Sequence, residues 1–336
     1  TRWWSFAEYF TQQLFGETAT SVSMASGTGL LNQHTCEWDT ELLEALDISV
    51  ECFPEIASPN RTIQKLSRKF ALRWPQLSEA GLFPAIGDGA ANNIGAGCHS
   101  IEKAALMIGT SGAMRVLYDG EPPPRVPPEL WCYRADRNRV VVGGALSDGG
   151  GLNSWIKESL LYDQDFALIE NELEMLEPDA HGLTILPFWA GERSTGWRAD
   201  ARGAILGLTM QTRPIEILRA AMEAIAYRFA LIANALEPLA PQATIVASGH
   251  ALRSSPTWVQ ILADVLGRPL NVFELSEASI RGAALLALEA AGKIQSIEQS
   301  STPVPTTVEP NMLHHAKYQQ GLERQQQMYQ RVIQKT

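Results

Sequence analysis

From about Pro84 onward, short apolar runs close on small polar clusters and then give way to helical periodicity; no other feature restricts the fold as much. Ala104 to Tyr118 reads as two strands joined by a turn at Gly109–Gly112. Val140–Leu146 reads as a buried strand, followed by Asp148–Gly151 and a helix through Trp155 and Leu160. Ala243–Ala247 is a further strand, then Ser248-Gly249-His250 and a helix from Pro256 to about Leu266. Such alternation predicts an α/β architecture with some antiparallel pairs. The 336 residues allow two domains at about 150 residues each.

The clearest helix lies between Pro214 and Pro238. Ile215, Leu218, Met222, Ile225, Phe229, Ile232 and Leu236 step by three or four, while Glu216, Arg219, Glu223 and Arg228 fall on other faces, a pattern sufficiently explained by core packing. A second helix, Glu277 to Ala291, carries Gly282, which permits close packing or close ligand approach. Trp38 to Leu46 reads as a short amphipathic helix with Leu42, Leu43 and Leu46 on one side, before Pro54, Pro59 and Asn60 break the pattern. Pro122–Pro128 reads as a stiff exposed loop. The polar stretch after Ser300 ends in a Gln-rich helix, Tyr318 to Gln334, expected on the surface.

Composition narrows the function. Hydrophobic residues make up 45% and charged residues 19%, which argues against wholesale disorder. The 27 Lys+Arg against 37 Asp+Glu leave a net charge of -10, which makes nucleic acid a poor main partner. No apolar run approaches the roughly 18 residues of a membrane span, so no membrane association is expected. Thr1-Arg-Trp-Trp-Ser-Phe shows neither signal-peptide nor transit-peptide character and lacks an initiator Met; it reads as an interior start, with the cytoplasm as default location. Cys36, Cys52, Cys98 and Cys132 are scattered without a C-x-x-C, which leaves neither a disulfide scaffold nor a zinc site. His34, Cys36 and Glu37 are sufficiently explained by structural or surface roles, and no metal ligand set is expected.

The phosphate loop G-x-x-x-x-G-K-[ST] is absent and G-x-G-x-x-G is not completed after a strand. Gly109-Thr-Ser-Gly-Ala113 falls one residue short of the hydrolase G-x-S-x-G around Ser111. What remains is a set of turns at strand ends: Gly109–Gly112, Gly149–Gly151 and Ser248–Gly249. Successive N–H groups in such turns can bind phosphate oxygens, although each alone is sufficiently explained as a tight turn. Asp88, in Gly87-Asp88-Gly89 after Phe83-Pro-Ala-Ile86, sits where a strand would meet a helix, and capping that helix would be enough to account for it.

In order and spacing, these pieces resemble the FGGY carbohydrate kinases of the actin-like ATPase superfamily, from about Trp4 to Gly292. The resemblance rests on Ser23-Met-Ala-Ser-Gly-Thr-Gly-Leu-Leu-Asn-Gln33, Trp38-Asp-Thr-Glu-Leu-Leu, Gly87-Asp88 and Gly109-Thr110-Ser111. It continues through Leu186-Pro-Phe-Trp-Ala-Gly-Glu-Arg193, Ala201 to Thr209, Ser248-Gly249, Ser255 to Asp264 and Arg281-Gly-Ala-Ala-Leu285. It implies a two-domain, ribonuclease H-like fold with an incomplete first domain. Residues 1–102 would be the remainder of the sugar-binding domain, 103–292 the nucleotide-binding domain and 293–336 a tail with a surface helix.

The resemblance also implies roles. Asp88 would be the general base for the sugar hydroxyl. Gly109, Thr110 and Ser111 would lie at the nucleotide phosphates, Gly150 and Ser154 would approach the nucleotide, and Gly249 would let adenine or ribose lie against the backbone with Arg253 nearby. ATP and Mg2+ would be the cofactors and a small sugar or sugar acid the partner; a homodimer is compatible with it. Two departures matter. Gly89 stands where the family commonly has Gln, and Gly-Asp-Gly with Leu186–Arg193 looks most like the gluconokinase branch. The family's opening Asp-x-Gly-Thr turn is not in this sequence. The expected function is ATP-dependent phosphorylation of gluconate, then xylulose, with this chain weakly active or inactive alone. A nucleotide-binding scaffold and, distantly, a Ser hydrolase are the alternatives.

Overall fold

The computed structural model describes residues 1–58, 61–160, 165–273, 277–300 and 304–334; the expected break at Pro59 and Asn60 lies outside them. Its centre is a seven-stranded sheet of β1 (Lys103–Ile108), β2 (Gly112–Asp119), β3 (Trp131–Arg134), β4 (Arg139–Leu146), β5 (Thr244–Ser248), β6 (Leu270–Val272) and β7 (Thr306–Val308). The order is β7-β6-β5-β1-β2-β4-β3, with β5 parallel to both β1 and β6 and the other pairs antiparallel. The expected β1–turn–β2 unit is present, with Ile108 opposite Gly112, and so is the mixed α/β architecture. The central strands are apolar on both faces because both are covered.

The helices that matter for the site are α1 (Asp88–Gly95), α2 (Gly150–Leu160), α3 (Pro214–Leu236), α4 (His250–Arg253), α5 (Pro256–Leu266), α6 (Ala278–Ala290) and α7 (Met312–Val332). Pro214 starts α3 at a position where its missing N–H is harmless, and the predicted apolar stripe packs into the main core. Arg219, Glu223 and Arg228, expected to face away from that core, are buried as well. The reason is α7. The tail helix expected at the surface instead lays Tyr318, Gly321, Leu322, Gln325 and Tyr329 into the molecule. Tyr318 Oη donates to Glu223 at 3.2 Å and accepts from Arg219 at 2.8 Å, while Gln325 Nε2 donates to the Ala224 and Ile185 carbonyls.

The N-terminal part is made of short helices (Phe6–Phe15, Val22–Ser26, Thr40–Ala45) and two-residue strand pairs. In Thr40–Ala45 only Leu43 is buried; Leu42 and Leu46 are exposed, so the expected apolar face is one residue wide. Arg134 joins this part to the sheet: its N–H donates to Ser26 Oγ at 2.7 Å and its Nε to the Gln33 carbonyl at 2.6 Å. Helices α1 and α6 cross where Gly95 meets Gly282. A Cβ on Gly282 would stand 2.7 Å from the Ala91 carbonyl carbon and 2.9 Å from the Gly95 nitrogen, so close packing is the reason for that glycine. Among the described residues no helix is long and apolar enough to cross a membrane.

Candidate active site

Asp88 does not cap its helix. Gly87 is the N-cap, without a side-chain bond, and Asp88 is the first helical residue, exposed to solvent. The strand expected before it is only Gly81–Leu82, since Pro84 cannot donate to a ladder; Phe83–Gly87 is irregular. Side chains hold this segment instead. Ser23 Oγ accepts from the Gly87 N–H at 3.0 Å and Ser21 Oγ donates to the Ala85 carbonyl at 2.5 Å.

Beside Asp88 lie two residues that the sequence reading did not single out, Arg115 of β2 and Tyr133 of β3. Arg115 is 8% exposed, and its Nη1 is buried without a hydrogen-bond partner. Burial pulls the Arg115 guanidinium down from its ordinary pKa, Tyr133 and Asp88 act upward and Arg193 downward. Burial pushes the Tyr133 hydroxyl up to about 12, against the pull of Arg115. A Cβ on Gly89 would stand 2.5 Å from Tyr133 Oη and 3.2 Å from Arg115 Cζ. The volume that a glutamine at this position would use is therefore already taken. The available sequence signal was a charged residue inside an apolar strand, which is the informative kind of burial.

The predicted glycine turns come together. Gly150 N–H donates to the Gly109 carbonyl at 2.8 Å, and Gly151 N–H to the Thr110 carbonyl at 2.9 Å. A Cβ on Gly150 would stand 2.6 Å from the Gly109 oxygen and 2.9 Å from the Ala251 Cβ. Gly249, at φ 110°, presses its backbone on Ile108, whose carbonyl carbon a Cβ would meet at 2.7 Å. The start of α2, the β1–β2 turn and α4 therefore form one surface, on which Thr110, Ser154 and Arg253 are exposed and Ser111 half-buried. One expectation changes: the Gly150 and Gly151 N–H groups are committed to the neighbouring turn and do not offer themselves to a phosphate. Strand β2 links the two halves of the site. It begins at the glycine turn, and three residues on, about 10 Å along a strand, Arg115 stands beside Asp88.

The Leu186–Arg193 motif is mostly scaffold. Asp148 accepts from the Ala190 N–H at 3.1 Å; burial pushes its carboxyl up, against the Trp189 and Ala190 amides. Ser194 N–H donates to the Ala145 carbonyl at 2.9 Å. Buried Glu192 pairs with Arg228 and accepts from Tyr329 Oη at 2.6 Å, and Arg228 lies 5.2 Å from the Phe188 ring centroid. Arg193 alone of this motif's charges is exposed, within electrostatic reach of Arg115.

Asp179, His181 and Glu223 have ligand atoms within 4.8 Å of one another. All three already have partners. Arg324 grips Asp179 with both terminal nitrogens, Arg219 Nε donates to Glu223 at 2.7 Å, and His181 Nδ1 accepts from the Leu183 N–H, which places the proton on Nε2 facing Glu223. This is an ion-pair network that fastens α7. Of the other triple, Cys36 is buried in a small core with Val22 and Ile56, a structural role, and Glu37 pairs with Arg137 at 2.7 Å.

The chain matches the C-terminal domain of the FGGY family of carbohydrate kinases over residues 104–291 and the N-terminal domain of that family over residues 2–95. A gluconokinase from Bacillus subtilis (strain 168) is 29% identical over 312 residues, covering 89% of this chain and 60% of that protein. The chain thus spans about 60% of the length of that curated relative. The structure of a ligand-bound xylulose kinase from Lactobacillus acidophilus superposes with a TM-score of 0.90 at 28% identity, over 98% of this chain and 68% of that one. A gluconate kinase from Lactobacillus acidophilus gives a TM-score of 0.87 at 28% identity over the same shares.

Proposed function

The chain belongs to the FGGY family of carbohydrate kinases, and we propose on that footing that the whole protein transfers the γ-phosphate of ATP to a hydroxyl of a sugar or sugar acid, gluconate first and xylulose second. One observation carries this reading: Asp88 stands exposed at the start of α1 with no capping duty. A carboxylate left free there can take the proton of an attacking hydroxyl, while positioning and charge stabilisation supply most of the remaining catalysis.

The chain's own residues divide the work. Asp88 accepts the proton. Gly109, Thr110 and Ser111 lie at the nucleotide phosphates, with the exposed Thr110 hydroxyl available as a donor. Gly150 and Ser154 approach the nucleotide from α2, and Gly249, packed on the Ile108 backbone, sets the turn against which the base or ribose lies, with Arg253 on α4 beside it. Magnesium, a hard cation that keeps several waters, would come bound to the ATP phosphates and offset the charge on the transferred group, with Asp88 the exposed carboxylate nearby.

The Ser hydrolase loses support, because among the described residues no histidine hydrogen-bonds Ser111. The test is Asp88→Asn in the full-length protein, with ATP-dependent phosphorylation of gluconate, xylulose and glycerol as the assay. Turnover should fall by about 10²–10⁴ with ATP affinity nearly intact. Turnover within about threefold of the parent would remove Asp88 from the chemistry.

A further inference from the structure

A buried guanidinium nitrogen without a partner is expensive to maintain, and Arg115 carries one within the candidate site. The fold makes room for this side chain. Gly89 leaves space beside its Cζ and Nε, and Gly143, opposite Arg115 in the β2–β4 register, leaves space along its stem: a Cβ there would stand 2.8 Å from Arg115 Cγ. Asn93 Nδ2 holds the Arg115 carbonyl at 3.1 Å, so the backbone under the guanidinium is fixed from α1. Asp88 lies within electrostatic reach of the Arg115 guanidinium. Arg193 adds a second positive charge close by, in a chain whose net charge is -10.

We propose that Arg115, with the Tyr133 hydroxyl beside it, binds the carboxylate of the acceptor, so that this site takes a sugar acid in preference to a neutral sugar or polyol; the assignment rests on the kinase reading above. A planar guanidinium is suited to a carboxylate, which it can hold through two parallel hydrogen bonds. A neutral sugar would also fit beside Asp88 but would leave the buried charge uncompensated. Two arginines against the single carboxylate of Asp88 make the local field favourable to an anion, against the sign of the whole chain.

The test compares gluconate with D-glucitol, which carries a hydroxymethyl group in place of the carboxylate. Binding of both, and of ATP, is measured by calorimetry on the full-length protein, on Arg115→Met and on Arg115→Lys, together with ligand-free thermal melts. The parent should prefer gluconate, and Arg115→Met should bind it about 10–100-fold more weakly, collapsing the preference over glucitol. ATP affinity should move by less than about threefold. Arg115→Lys, which keeps the charge and loses the fork, should fall between the two. The ligand-free Arg115→Met should melt no lower than the parent, since an unpaired buried charge is removed.

A parent without preference for gluconate, or a preference that survives undiminished in Arg115→Met, overturns the assignment. So does an equal loss for ATP, which would hand the guanidinium to the phosphates, or a large drop in the ligand-free melt, which would make it structural. The two readings fail separately. Arg115-dependent gluconate binding without phosphorylation sinks the kinase and keeps the assignment. Phosphorylation of xylulose or glycerol with no gluconate preference does the reverse.

Discussion

The helix crossing behind Asp88 sets how far that carboxylate can move, and Gly282→Ala measures it. The added Cβ would stand 2.7 Å from the Ala91 carbonyl carbon and 2.9 Å from the Gly95 nitrogen. Carbon atoms settle at about 3.5–4.0 Å, so α1 and α6 must part by about 1 Å. The atoms met are backbone and cannot swing aside, which puts the overpacking near the upper end of its range, about 3 kcal/mol. Alanine returns about 1 kcal/mol of helix propensity. The net loss is about 2 kcal/mol, or about 4–8 °C in melting temperature on the scale of a 150–250-residue domain. Asp88 is the first residue of the displaced helix, and a misplacement of about 1 Å can cost about 10²-fold in turnover. Gly27→Ala is the control: its Cβ would meet nothing nearer than 3.5 Å. Calorimetric melts of all three proteins and kcat in the full-length context give the comparison. A Gly282→Ala protein that melts with the parent and keeps kcat within about threefold would refute the reasoning.

Gly249→Val should weaken ATP binding more than sugar binding in calorimetry, since the φ of 110° strains a branched residue and the Cβ meets the Ile108 backbone; equal losses would indicate misfolding instead. Glu223→Gln should lower the melting temperature at pH 7. Burial by itself would raise the Glu223 carboxyl, but His181 and Arg219 outweigh it and hold the pKa below the ordinary 4.5. A depressed carboxyl contributes stability above its unfolded pKa and loses it as pH falls through the folded one, so the gap between variant and parent should be full above pH 4.5 and close below it. A gap independent of pH would show that the charge is not what matters. The 336 residues, which span about 60% of a curated relative's length, should phosphorylate gluconate, xylulose and glycerol far more slowly than a counterpart of that full length, because positioning of the γ-phosphate carries most of the catalysis; comparable rates would show the further length dispensable.

What could be read in the sequence was what local chemistry dictates. Gly109–Gly112 between apolar runs specifies a two-strand turn, and the stripe from Ile215 to Leu236 specifies a buried helix. The glycine turns were visible as turns. Their contact was not, because it depends on β2 pairing with β4 for the Gly150 turn and, for the Gly249 turn, on β5 lying parallel to β1, a pairing such as Ala104 with Ile245 that no short window carries. Arg115 was hidden for a related reason: its neighbours in sequence are strand residues, while Gly89, Tyr133 and Gly143, which define its surroundings, come from three other elements. The tail helix was misplaced because its inner face is written in Tyr, Gly and Gln, with Leu322 the one aliphatic residue among those buried. Counting only aliphatic residues made a core helix look like a surface one.

The grip of α7 on the rest of the domain also has a bearing on biosynthesis. Asp179 pairs with Arg324 across 145 residues, and Ala224 with Gln325 across 101. At about 5–20 residues per second, a ribosome needs about 7–30 s to make the distance between Asp179 and its partner. For the later part of that interval Glu192, Arg219 and Glu223 have been made without the tyrosines of α7 that complete their bonds. The nascent second half must wait as an open, charge-lined sheet-and-helix layer, the kind of intermediate that chaperones hold, and it can close only after translation has passed Tyr329.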